Sequence, residues 1–119
     1  MTDNHSTQRI TTDPVTTTVI VSVDTRLIAH TRRAVLLTER GYRPRLYLPR
    51  GDIAAGVLVD SDTRTHCPYK GDARYFHVTV DGQRYTDAAW SYDEPLASVA
   101  AISGRVAFDH PAIRVDQRG

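Results

Sequence analysis

The chain of 119 residues carries 15 basic and 14 acidic groups for a net charge of +1 and is 40% hydrophobic, a length that supports one core with about two thirds of the unfolded surface buried. No run approaches the ~18 apolar residues of a membrane span, the polar N-terminus lacks the apolar segment of a secretory signal, and a single cysteine, Cys67, excludes a disulfide framework or a Cys-x-x-Cys zinc knuckle. The near-neutral charge argues against a dedicated nucleic-acid binder, so a small cytoplasmic domain is expected, with no membrane contact and a homodimer left open.

Residues 1–15 lack aromatic groups and apolar periodicity, which predicts a disordered tail ahead of a single β-rich domain over 16–117. The β-branched run from Thr16 to Val23 predicts a strand, and Asp24-Thr25 can turn it back into a second strand, RLIAH. Ala34 to Thr38 and Arg45 to Pro49 predict two more, and Pro49 to Asp52 reads as a turn or a single helical turn. Gly56 to Ser61 and Thr65 to Asp72 are expected to be successive strands, the second broken by a Tyr69-Lys70 loop between Pro68 and Gly71.

The strongest local signal is the hairpin ARYFHVTV–DG–QRYTDAAW, because Asp81-Gly82 suits a type I′ turn whose twist matches the flanking strands. A two-residue loop predicts Val78 opposite Tyr85, His77 opposite Thr86, Tyr75 opposite Ala88 and Ala73 opposite Trp90. One short helix is expected over 94–103, with Asp93 as its cap, Pro95 in its first turn, Gly104 after its end and an apolar stripe of Leu96, Val99 and Ala100. Two strands, RVAF and AIRV, close the chain around His110-Pro111. Many short strands with frequent turns predict a mainly β fold of antiparallel sheets.

Chemically able side chains concentrate between Ser61 and Tyr75, where His66, Cys67, Tyr69, Lys70 and Asp72 fall within seven positions. Lys70 is the only lysine among 15 basic residues, and Glu39 and Glu94 are the only glutamates. An ammonium is a compact point charge that can shift its pKa, whereas a guanidinium cannot. Three readings compete: a metal site of His66, Cys67 and His77, which lacks a fourth ligand; a nucleophile, with Cys67 or Lys70 catalytic; and an inert cysteine beside a surface Lys70–Asp72 ion pair. Tyr47, Tyr69, Tyr75, Trp90 and Tyr92 supply aromatic walls, and with His66 and His77 they make a small-ligand pocket the favoured reading. Tyr69-Lys70 is expected to fold over the face carrying Tyr75, His77 and Trp90, with the lysine stem across the indole. Four arginines at 40, 43, 45 and 50 interleave with Tyr42 and Tyr47. That pattern could hold single-stranded nucleic acid, but a solvated, charged strand edge explains it more simply.

The blocks RPRLYLPRGDI, DTRTHCPYKGDARYFHV and DAAWSYDEPLASVAAISGRVAF resemble the family known as domain of unknown function 427, over about residues 16–117. The resemblance implies a small domain of coiled antiparallel sheets, similar to β-tent folds, whose characteristic residues here are Tyr47, Pro49 and Asp52, then Cys67 to Gly71, then Trp90, Tyr92 and Pro95. Gly51 stands where the family pattern usually has a charged residue. The family is sometimes labelled nucleotidyltransferase-like, yet this sequence shows neither a glycine-rich phosphate cradle nor the paired aspartates of two-metal transfer. No cofactor or metal is implied. The functional expectation is an aromatic pocket around CPYKG for a small polar or anionic metabolite, with covalent catalysis by Cys67 or Lys70 as the alternative.

Overall fold

The computed structural model describes residues 9–118. Ten strands form three antiparallel sheets: β1 (Ile10–Pro14), β2 (Thr18–Val23), β3 (Arg26–Thr31), β4 (Val35–Glu39), β5 (Arg45–Tyr47), β6 (Leu58–Cys67), β7 (Gly71–Val80), β8 (Gln83–Ser91), β9 (Val106–Phe108) and β10 (Ile113–Arg118). The sheet orders are β1-β4-β5, β10-β2-β3 and β6-β7-β8-β9. Isolated bridges between Ala29 and Ile53 and between Leu48 and Val106 tie the sheets together. No helix is long and apolar enough to cross a membrane among the described residues.

Alternation explains the packing. Val19, Val21 and Val23 of β2 point inward together, as a period of two requires. They join Phe76, Val78, Ala89 and Val106 in the larger of two apolar clusters. The smaller cluster holds Val35, Leu37, Tyr47, Ala73, Tyr92, Val99, Ile102 and Ala107, with Cys67, Tyr75 and Trp90 packed against it. That second cluster is the floor on which the candidate site is built.

Four local expectations are corrected. Of the expected tail over 1–15, residues 1–8 lie outside the described residues, while Ile10–Pro14 forms β1 along the edge of β4. Its polar sequence hides the strand, since β4 satisfies the backbone and only Ile10 packs on the smaller cluster. The strands expected over Gly56 to Ser61 and Thr65 to Asp72 are replaced by one strand, β6, which ends at Cys67 ahead of the Tyr69-Lys70 loop. The helix expected over 94–103 is a 3-10 segment, Ala97–Ile102, kinked at Val99. Buried Val99 and Ile102 are three residues apart, the period of a 3-10 turn, whereas Leu96 is exposed, so no continuous α-helical stripe exists. Leu96, without a side-chain hydrogen bond, takes the capping position expected of Asp93.

The fourth correction concerns register. Asp81 and Gly82 both have positive φ, as a type I′ turn needs, and Val78 does face Tyr85. Beyond a bulge, however, Tyr75 faces Trp90 and Phe76 faces Ala89, two residues further along β8 than predicted. β6 carries a matching irregularity between Asp60 and Arg64. A shift of two keeps each side chain on its face, so Tyr75 and Trp90 still project together. Asp87 sits in the bulge with φ 52°. Its carboxylate accepts hydrogen bonds from Ser61 Oγ (2.5 Å) and Thr63 Oγ1 (2.7 Å), joining the two irregular strands.

Candidate functional site

The CPYKG turn is held by backbone geometry. Lys70 N–H donates to the Cys67 carbonyl at 3.3 Å, and Leu96 N–H donates to the Lys70 carbonyl at 2.9 Å. Gly71 adopts φ +114°, and a Cβ there would meet Glu94 O and Pro95 Cα at 3.5 Å. Only glycine reaches this conformation without strain while lying against the 94–96 segment. This docking turns Lys70 inward.

Lys70 Nζ lies 2.5 Å from Glu39 Oε1, and the two side chains are only 12% and 8% exposed. Arg9 Nε is 3.9 Å from the other oxygen of Glu39. One carboxylate is thus flanked by two cations, and Arg9 also stacks its guanidinium 4.0 Å from the centre of the Tyr69 ring. Glu39 is inward because it continues the alternation of Val35 and Leu37 along β4. Lys70 Nζ sits 5.9 Å from the Tyr92 ring. The expected cation over Trp90 is supplied instead by Arg45, 5.4 Å from the indole, which also pairs with Asp109 at 3.1 Å.

Trp90 anchors the opposite wall. Its Nε1–H donates to Tyr47 Oη at 3.1 Å, and its ring lies 6.1 Å from that of Tyr75 at an angle of 40°. Burial pushes the Tyr47 hydroxyl up to about 12, partly opposed by the Trp90 hydrogen bond. Tyr92 is also driven above the ordinary tyrosine range, mainly by burial and then by its neighbour Tyr47. Both phenols therefore stay neutral and can act as hydrogen-bond donors across the physiological range.

Together these groups line an open cavity of about 640 Å³. Of the residues nominated from sequence, Tyr47, His66, Cys67, Tyr69, Lys70, Tyr75, Trp90 and Tyr92 line it. His66 is at the exposed rim, its Nδ1 2.7 Å from Asp72. His77 is not among the lining residues. It lies at the bulge, where its Nδ1 accepts from Asp87 N–H at 3.1 Å, so the reading that places it in the ligand site is corrected. With His77 elsewhere the metal reading also loses a ligand. Among the described residues no group of three or more His, Cys, Asp or Glu is placed to hold a metal ion.

Sequence reasoning missed Arg9, Glu39 and the role of Arg43 and Arg45 in the lining. Glu39 left a usable signal, being one of two glutamates and in phase with two apolar residues. Arg9 left none, because it lies in the stretch that reads as a tail. The finished lining carries Arg9, Arg43, Arg45 and Lys70 against one carboxylate, Glu39, and includes five of the six tyrosines and the only tryptophan. Among the described residues Arg43 has no ion-pair partner.

Comparison with curated proteins finds no match. A family model does match residues 11–118, nearly the whole described chain, and by it the protein belongs to the family described as Domain of unknown function (DUF427).

Proposed function

We propose that the domain binds a small aromatic anion in the cavity beside the CPYKG turn. The observation that carries this reading is the lining: most of the chain's tyrosines, its tryptophan and four cations surround one space with a single carboxylate. Glu39 is already engaged by Lys70 and Arg9, and Arg45 by Asp109, which leaves Arg43 as the lining cation without an ion-pair partner among the described residues to meet the ligand's charge. A guanidinium fork matches a carboxylate in shape and charge, and rings of Tyr42, Tyr69 and Trp90 offer faces for a planar group. Lys70 and the neutral Tyr47 and Tyr92 hydroxyls set the polar character of the floor.

Thermal-shift titration with phenylacetate, phenyl phosphate and benzylamine tests the charge preference. A ligand present at 100 times its Kd stabilises the fold by about 2.7 kcal/mol. The two anions should raise Tm and benzylamine should not, and Arg43→Glu should abolish the effect. Stabilisation by benzylamine alone would reverse the proposed charge.

The alternative reading, covalent catalysis, is supported by the partly exposed Cys67, which lines the same cavity. Lys70 is the weaker nucleophile, because its ammonium is tied to Glu39 and has no free electron pair in that state. Rapid alkylation of Cys67 by iodoacetamide near pH 7, blocked by phenylacetate, would favour catalysis. Labelling only after unfolding would leave binding alone.

A further inference from the structure

Two tyrosines at the floor of the aromatic cavity keep unspent hydrogen-bond donors. Tyr47 and Tyr92 are only 1% and 6% exposed, yet both line the cavity. Tyr47 Oη accepts from Trp90 Nε1–H at 3.1 Å and donates to no group among the described residues, so its own proton is unspent. Tyr92 Oη makes no hydrogen bond among the described residues. It is not sealed in either. The fully enclosed side-chain nitrogens and oxygens without a partner there are Arg74 Nε and Arg105 Nε, so Tyr92 Oη opens on the cavity that its residue lines. Burial keeps both phenols protonated, and each is close enough to Glu39 to feel its charge. The carboxylate of Glu39 is already taken by Lys70 and Arg9, so the floor has donors in surplus. Buried polar groups in a folded protein are matched, and donors that the chain leaves unmatched call for an acceptor from outside.

From this geometry we infer that the ligand is an aromatic acid with a neutral carbonyl at the end of the ring away from the acid, and that this carbonyl accepts hydrogen bonds from the hydroxyls of Tyr47 and Tyr92. An acyl- or formyl-substituted aryl acid has this chemistry. The inference rests on the proposed aromatic-anion reading and adds the far end of the ligand. Depth assigns the two ends: Arg43 is exposed and without an ion-pair partner among the described residues, whereas the two phenols are buried. A carbonyl suits the floor better than a second carboxylate, because Glu39 would repel a further negative charge beside Tyr47 and Tyr92. It also suits the floor better than a donor, since Tyr47 Oη already accepts from Trp90 and the Lys70 ammonium has only donors. A hydrocarbon end would displace water and leave both hydroxyls unpaired.

The experiment is isothermal titration of the full chain with phenylacetate, para-acetylphenylacetate and para-isopropenylphenylacetate. The last two match in shape and differ in whether an oxygen or a methylene group meets the floor. Two hydrogen bonds of ordinary net strength should make the acetyl compound on the order of 30-fold tighter than the isopropenyl one. Tyr92→Phe removes one donor without breaking a hydrogen bond among the described residues, and should cut that ratio about fivefold. Tyr47→Phe should cut it similarly, with cooperative urea unfolding reporting that each variant is folded. Infrared difference spectra give a second readout: the acetyl carbonyl stretch should move to lower wavenumber on binding and part of the way back in Tyr92→Phe. Equal affinities for the acetyl and isopropenyl compounds would overturn the carbonyl acceptor and leave the aromatic-anion site standing. A ratio and a stretch unchanged by Tyr92→Phe would overturn the assignment of the donors. Binding of phenylacetate but of neither substituted compound would overturn this inference alone. Failure of all three to bind would overturn it together with the reading on which it rests.

Discussion

Replacing Glu39 by leucine strands the ammonium of Lys70 in a position where only 12% of its side chain is exposed. At 2.5 Å the two charges attract by about 7 kcal/mol at an effective dielectric constant of 20. Desolvation of both ions offsets much of that, so the intact pair adds little net stability. Loss of one partner is different, because the remaining charge keeps its desolvation penalty without compensation, a cost of about 3–5 kcal/mol. Both side chains line the open cavity beside the CPYKG turn, which places Glu39→Leu and Lys70→Met near the lower end, about 3 kcal/mol each. For a domain of this size that is a fall in Tm of about 12 °C. The double variant removes both charges and should lose less than the sum, with a coupling of about 2 kcal/mol or more. Urea unfolding followed by Trp90 fluorescence, with all four proteins at one pH, measures the cycle. Additive single effects within about 0.5 kcal/mol would mean that the two charges do not sense each other.

Gly71→Ala should destabilise by about 1–3 kcal/mol, since φ +114° is strained for any side chain, and urea midpoints will show it. Tyr47 has its hydroxyl raised to about 12, above its unfolded value near 10. The stabilisation tied to the neutral phenol is therefore complete below about pH 10 and lost as pH rises through about 12, so tyrosinate absorbance should show this group ionising late or only on unfolding. Asp87 shows the opposite sign: hydrogen bonds from Ser61 and then Thr63 hold its carboxyl below the usual range. Its contribution is present above the unfolded value of about 3.9 and lost as pH falls through the lower folded one, and Asp87→Asn should flatten the acid limb of a stability-against-pH curve.

Strand content was legible because it depends on local patterns. The β-branched run of β2, the Asp81-Gly82 turn and the proline and glycine around Tyr69-Lys70 each carry their own signal. The bulge at Asp87 was not legible, since it is stabilised by Ser61 and Thr63 from a strand more than 20 residues away. Likewise β1 exists through its pairing with β4, and ITTDP alone gives a polar segment ending in proline. In the site, residue types were readable and their partners were not. Lys70 stood out as a lone lysine, but its pairing with Glu39 is a contact 31 residues apart in sequence. Arg45 reaches Trp90 because β5 lies beside β9 through the Leu48–Val106 bridge, a tertiary arrangement that no local spacing encodes.

Binding of the proposed aromatic anion beside Trp90 is directly observable, because the chain has a single tryptophan. In a proton–nitrogen correlation spectrum the one indole signal reports the Nε1–H that donates to Tyr47. Titration with phenylacetate should move that signal along a saturable curve, and Arg43→Glu should abolish the movement. An indole signal that stays fixed at millimolar phenylacetate and phenyl phosphate would show that no aromatic anion binds beside Trp90.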